Sequence, residues 1–193
     1  MRKLILTGTA LIAFAAVSFA QNSTTINQNG TSQTAEATQV GNLQTSNIQQ
    51  VGTAAMPNNG NYAGTFQGVA GTPNTGANTA TVLQNDGSKG NRGAISQGMG
   101  AMGGNEATIS QSNNSGTGGV VTSASTSAAD VRAAGGNFAG ILQQGSDNTA
   151  TRIDQNNQSR SNLGEIYQYG TENSRSSQFD TETTIEQNGD GTR

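Results

Sequence analysis

One heptad, Asn-x-(Ala/Gly)-x-(Ile/Val)-x-Gln, is written five times along the chain. It reads NTATVLQ at 78–84, NRGAISQ at 91–97, NEATISQ at 105–111, NFAGILQ at 137–143 and NLGEIYQ at 162–168. Its shorter core, (Ile/Val)-x-Gln, recurs at Ile26/Gln28, Ile48/Gln50, Val82/Gln84, Ile95/Gln97, Ile109/Gln111, Ile141/Gln143, Ile153/Gln155, Ile166/Gln168 and Ile185/Gln187. Weaker copies stand at Ala37/Gln39, Thr65/Gln67 and Ser176/Gln178. A unit this short cannot bury a face alone, so its recurrence demands that copies stack on one another.

The spacing sets the kind of unit. The four defined positions of each heptad are two residues apart, which places them on one face of a β-strand. In NEATISQ the intervening Glu106, Thr108 and Ser110 face the other way and suit water. A Gly or Asn soon follows most copies (Gly30, Gly41, Gly52, Gly87, Gly145, Asn157, Gly170, Gly189) and closes the strand with a turn. β-Branched residues favour strands, and glycine at this frequency would interrupt helices. Strands with the same face repeated suggest a solenoid rather than a sandwich or barrel, because equivalent residues can then form columns about 4.8 Å apart. The expected fold is all-β: a β-solenoid of about twelve short strands in two stacked parallel sheets, with irregular loop insertions.

Within that fold the repeat positions take distinct roles. Ala80, Val82, Ile95, Ala107, Ile109, Ala139, Ile141, Ile153, Ile166 and Ile185 are predicted to form a thin core. Asn78, Gln84, Asn91, Gln97, Asn105, Gln111, Asn137, Gln143, Gln155, Asn162, Gln168 and Gln187 are predicted to form amide ladders. A buried amide without partners costs on the order of 1–3 kcal/mol, and bonding to the copies above and below avoids that cost.

The clearest repeats cover 24–52, 78–111 and 137–189. Residues 53–77, with Pro57 and Pro73, and residues 112–136 are expected to be loop-like insertions. A degenerate strand around Val120–Thr122 is an alternative for part of the second. In NTATRIDQ and DTETTIEQ the Gln falls one residue late, which implies a bulge or a shifted strand start. Among the aromatics, Phe66, Phe138, Tyr167 and Tyr169 lie inside repeat units, where packing is their expected role.

Residues 1–20 read as a secretory signal peptide. Arg2 and Lys3 precede an apolar run from Leu4 to Val17, and Ser18-Phe19-Ala20 offers a small-x-small cleavage site. The remaining 21–193 form the repeat domain. The chain has no Cys, so no disulfide holds it, and no His or Trp. Its 22 Asn and 18 Gln outnumber the 9 basic and 12 acidic residues, and no basic patch offers a nucleic-acid site. The acids are scattered, with no acid–base cluster. GMGAMGGN at 98–105 lacks the Asp of a calcium-binding nonapeptide. No catalytic residue, cofactor or metal is expected. Eight of the twelve acids lie from Asp147 onward. On outer positions they would slow self-assembly, so neutralising Asp154, Glu165 and Glu186 is expected to shorten a polymerisation lag.

The heptads with their glycine tails, best seen in QQGSDNTATRIDQ at 143–155 and QNDGSKGNRGAISQ at 84–97, resemble the curlin repeat of curli subunits. The resemblance spans roughly 24–189. It implies a subunit exported through an outer-membrane secretion pore of a Gram-negative bacterium. It also implies polymerisation into amyloid fibres at the cell surface, serving adhesion to host or abiotic surfaces and biofilm matrix. Its partners would be further copies of itself and a paralogous curlin-like subunit; the family has a major subunit and a nucleating one. The insertions depart from the family's regular spacing. A monomeric ice- or carbohydrate-binding solenoid is a second expectation. It would need a regular outward array such as Thr-x-Thr, and residues 106/108/110, 92/94/96 and 163/165/167 do not supply one. A Gly/Asn-rich matrix protein without a fixed fold is a third.

Overall fold

The structure is a computed structural model, and it describes residues 21–52, 58–68, 76–85, 87–99, 104–112, 128–133, 136–155, 162–170, 174–178 and 183–188. Residues 1–20, the two prolines and Val120–Thr122 lie outside the described residues.

The described chain is nearly all β. Its strands are β1 (Ser23–Thr31), β2 (Thr34–Gln39), β3 (Gln44–Val51), β4 (Asn58–Asn59), β5 (Tyr62–Gln67), β6 (Asn78–Asn85), β7 (Arg92–Met99), β8 (Glu106–Gln111), β9 (Phe138–Gln144), β10 (Thr149–Gln155), β11 (Leu163–Tyr169), β12 (Ser174–Gln178) and β13 (Thr183–Asn188). They alternate between two parallel sheets. The first has the order β12-β10-β8-β6-β3-β1-β4 and the second β13-β11-β9-β7-β5-β2. Each successive pair of long strands is one coil: β1/β2, β3/β5, β6/β7, β8/β9, β10/β11 and β12/β13. The fold is a β-solenoid of two stacked sheets.

Register follows the repeat. In the first sheet Ile26, Ile48, Val82, Ile109 and Ile153 lie opposite one another in turn, as do Gln28, Gln50, Gln84, Gln111 and Gln155. In the second sheet Ala37, Thr65, Ile95, Ile141, Ile166 and Ile185 form one column, and Gln39, Gln67, Gln97, Gln143, Gln168 and Gln187 the next. A slip of one residue would turn every core side chain to the solvent face, which is why the pattern fixes the register. Stacked glutamines are 19 (Gln168 and Gln187) to 46 (Gln97 and Gln143) residues apart in sequence. Extra length is therefore expelled at the turns while the columns continue.

The first insertion contains the weak repeat copy at Thr65/Gln67 as a strand, and each insertion also holds an element beyond a plain loop. Residues 53–77 contain β4 and β5, and β5 is a full member of the second sheet between β2 and β7. β4 pairs with Gly30–Thr31 at the end of β1. Gly52 N–H donates to Asn29 O and Gly60 N–H to Thr31 O. Carbonyls two residues apart point to the same side of a strand, so β4 resumes the path of β3 after residues 53–57. Residues 112–136 contain a short helix, α1 (Ala128–Ala133), where loop or strand was expected.

The core is thin and aliphatic. Ile48, Ala63, Ala80, Val82, Ile95, Ala107, Ile109, Ala139, Ile141, Ile153 and Ile166 form one buried cluster. At the turn after β9, Gly145 has φ 111°, and a Cβ there would collide with the Gly170 carbonyl of the next coil. Only glycine lets successive turns stack this closely.

Candidate functional site

The feature that distinguishes this molecule is its columns of buried amides, which run through the stack to an open first coil. Gln28 Nε2 donates to Gln50 Oε1 at 2.7 Å, Gln50 to Gln84 at 2.8 Å, Gln84 to Gln111 at 2.7 Å and Gln111 to Gln155 at 2.8 Å. In the second sheet Gln39 donates to Gln67 at 3.0 Å, Gln67 to Gln97 at 3.0 Å, Gln97 to Gln143 at 2.8 Å and Gln143 to Gln168 at 2.9 Å. These Gln rungs all have the same polarity: the amide nitrogen faces the following coil and the oxygen the preceding one.

The same amides also reach across the core. Gln50 Nε2 donates to Thr34 O at 3.1 Å, Gln67 to Thr45 O at 2.9 Å, Gln84 to Tyr62 O at 2.9 Å, Gln97 to Thr79 O at 2.9 Å and Gln155 to Phe138 O at 3.1 Å. Gln50, Gln67, Gln84 and Gln97 therefore donate both along the column and to the start of the opposite strand, which ties the two sheets together. An apolar side chain could do neither, and Asn would be too short.

Asn also forms amide-to-amide rungs, Asn78 Nδ2 to Gln44 Oε1 at 2.9 Å and Asn148 Nδ2 to Asn105 Oδ1 at 3.0 Å, and its oxygen serves the backbone as well. Asn78 Oδ1 accepts the backbone N–H of Asn105 at 3.2 Å, Asn91 Oδ1 that of Asn137 at 3.0 Å, and Asn137 Oδ1 that of Asn162 at 3.0 Å. These N–H groups stand just before their strands, and the side chain of the preceding coil satisfies them. Gln44, Asn61 and Asn148 belong to the same columns and were not singled out from the sequence. Asn148 hides because it stands seven residues before its Gln, not six. It aligns with Asn105, Thr151 aligns with Ala107, and the extra residue lies between them.

Of the predicted ladder residues, Asn78, Gln84, Asn91, Gln97, Asn105, Gln111, Asn137, Gln143, Gln155, Asn162 and Gln168 are all buried, as are the predicted core residues from Ala80 to Ile166. Gln187 and Ile185 hold their columns by backbone register; their side chains are not among those described. Gln178 does not stand in a Gln column. The β10–β12 register shifts after Thr149, which places Ser177 opposite Ile153 and Gln178 opposite Asp154. Ser110, expected to face water, is buried.

Two weak repeat copies are compensated inside the core. Thr65 replaces an aliphatic residue, and its hydroxyl lies 2.5 Å from Ser46 Oγ on the facing sheet. Thr151 replaces Ala, donates to Gln168 Oε1 at 2.6 Å and accepts from Gln143 Nε2 at 2.9 Å.

The outer face of the second sheet carries a row that the repeat does not announce. Tyr62, Arg92, Phe138 and Leu163 are register partners in successive coils. The Arg92 guanidinium carbon lies 4.5 Å from the Phe138 ring centre and 5.6 Å from that of Tyr62, within cation–π range. Tyr62, Phe138, Leu163 and Val131 of α1 form a second buried apolar cluster, so the helix covers this row. Tyr62 donates to Glu36 at 2.8 Å. Burial raises the Tyr62 hydroxyl well above its ordinary value, the Glu36 bond and charge add to this, and Arg92 opposes it. Burial lowers the Arg92 guanidinium, against the pull of Tyr62 and Glu165.

The two ends of the stack contrast with this closed interior. With β4 continuing β3 on the inner side of β1, no strand among the described residues lies beyond β1 or β2, and none beyond β12 or β13. All nine residues of β1 are exposed. Ile26 is 45% exposed, whereas Ile48 directly behind it is fully buried. No family model, curated protein or solved structure matches the chain.

Proposed function

We propose that this chain is a secreted structural subunit that polymerises into curli-like amyloid fibres at the surface of a Gram-negative bacterium. Such fibres would serve adhesion and biofilm matrix. The observation that carries this reading is the open first coil: Ile26 and the β1 edge end a stack whose core is buried from Ile48 to Ile166. An open parallel edge is a template for another chain. The columns behind it offer that chain the same core and ladder positions that each coil offers the next. Secretion, the outer-membrane pore and a paralogous curlin-like partner follow from the leader and from the repeat's resemblance to curlin. The subunit role is structural, not enzymatic.

The test is polymerisation. Diluted from denaturant, the chain is expected to form seedable, thioflavin-positive fibres with a reflection at about 4.7–4.8 Å. A chain that stays unassembled, or assembles without that reflection, would overturn the reading.

A second reading is a monomeric surface-binding solenoid, and one observation favours it. The register aligns hydroxyl and amide residues on the outer face of the first sheet, with Thr25, Asn47, Thr81 and Thr108 in one column and Ser23, Thr45, Thr79 and Glu106 in another. This array runs across coils, so no single strand of the sequence displays it. A soluble, β-rich monomer in the same dilution experiment would select this reading.

A further inference from the structure

The two ends of the stack are not equally matched to each other in the two sheets. Extending the parallel register by one coil sets the last coil of one molecule against the first coil of another. In the second sheet the columns continue. Ala37 stands in the column of Ile166 and Ile185, and Gln39 in that of Gln168 and Gln187. Glu36 belongs to the column that reaches Thr184, and Thr38 to the column that reaches Glu186, so each acid meets a threonine rather than another acid. Like charges directly opposite each other would weaken such a pair.

In the first sheet the columns break. The shift between β10 and β12 puts Ser177 in the column of Ile26 and moves Gln178 to the outward column of Asn27. The aliphatic column therefore reaches a serine, and no described residue of β12 brings a Gln to the Gln28 column.

We infer that the first coil receives the last coil of a second copy of this chain, and that the seam between β13 and β2 holds the two molecules together. The seam between β12 and β1 adds backbone pairing but no Gln rung. The occupant is a second copy because the β2 face is complementary to this chain's own β13 at Ile185, Gln187, Thr184 and Glu186. The polarity agrees: Gln39 donates to the coil behind it and leaves its oxygen side to the open end, where it also accepts from Thr24 Oγ1. This inference rests on the fibre reading and specifies its junction.

Gln28→Leu and Gln39→Leu are compared. Each removes one internal rung, Gln28 to Gln50 or Gln39 to Gln67, and Gln39→Leu also removes bonds with Ser23 O and Thr24 Oγ1 in its own coil, so each elongation rate is read against that variant's own stability in urea titration. Only Gln39 also stands at a continued intermolecular column. Gln39→Leu is expected to slow elongation from wild-type seeds roughly five- to tenfold relative to Gln28→Leu, the effect of about one net hydrogen bond per junction. A second measurement does not depend on ladder loss. The chain lacks Cys, so Thr38→Cys with Glu186→Cys installs the only thiols. Partners one coil apart lie about 4.8 Å apart, within disulfide range. Oxidised fibres of this double variant are expected to run as a covalent ladder on a non-reducing gel. Equal slowing by the two leucine variants, or fibres without covalent ladders, overturns the inference while the fibre reading stands. A wild-type chain that forms no fibres overturns both.

Discussion

At the residue scale, the repeat is a solution to burying polar groups in a core only two side chains thick. Gln111 illustrates it. It accepts from Gln84, donates to Gln155 and reaches Arg92 O and Asn137 O across the core. Gln111→Leu keeps similar volume but strands donors and acceptors on both neighbours. It is expected to lower stability by about 2–4 kcal/mol in urea titration, since each orphaned buried group costs about 1–3 kcal/mol. An unchanged midpoint would show that the ladder contributes no net stability. Ser46 and Thr65 give the reverse case. Thr65→Val alone leaves the Ser46 hydroxyl in a dry core and is expected to cost about 1–3 kcal/mol, as is Ser46→Ala alone. The double variant, apolar on both sides, is expected to recover most of that loss. A double-mutant cycle with additive losses would contradict the pairing. The Gln column was legible because its spacing is local and repeated. The Ser46–Thr65 pair was not, since nothing in the sequence says that residues 46 and 65 face one another across two sheets.

At the element scale, the outer row on the second sheet shows where reading a repeat stops working. The row consists of Tyr62, Arg92, Phe138 and Leu163, four residue types with no shared pattern. They come together only because β5, β7, β9 and β11 are stacked in register. The cover, Val131 of α1, comes from a stretch whose composition resembles a loop. Burying Tyr62 gives the row a pH signature. Its hydroxyl is held above its ordinary value of 10.0, so the folded state favours the neutral phenol. That contribution is fully present below pH 10 and is lost as pH rises through the higher folded-state value, because the unfolded chain ionises first. Stability is therefore expected to fall above about pH 10, and Tyr62→Phe should flatten the fall. Alkaline denaturation followed by circular dichroism checks this; identical slopes in the two proteins would dissociate Tyr62 from the effect. Val131→Asp should uncover the same row, costing about 2–4 kcal/mol through a buried charge without a partner.

At the scale of the whole molecule, nearly all contacts join residues distant in sequence, so folding must close long loops before any column forms. A template that supplies a ready edge removes part of that cost. What restrains such an edge is charge. The register already keeps acids apart within the molecule: Asp154 stacks between Ser110 and Gln178, and Glu165 between Gly140 and Thr184. Asp154 is also bound to Arg152, and Glu165 accepts from Tyr167. The three acids expected from the sequence to act alike as brakes therefore differ. Asp154→Asn removes a charge but also an exposed ion pair worth about 0–1 kcal/mol, so its two effects offset. Glu186 lies on the last coil, at the proposed seam, where the net charge of −3, or −5 once Arg2 and Lys3 leave with residues 1–20, would repel approaching copies. Glu186→Gln is accordingly expected to shorten the lag severalfold, and Asp154→Asn to change it by less than about twofold. Salt should have the same effect on the wild type, since the screening length falls from about 10 Å at 0.1 M to about 3 Å at 1 M. If Glu186 acts through repulsion, its variant should lose most of its advantage at high salt. A lag that ignores salt, or a Glu186→Gln advantage that persists at 1 M, would place the brake in packing at the seam rather than in charge.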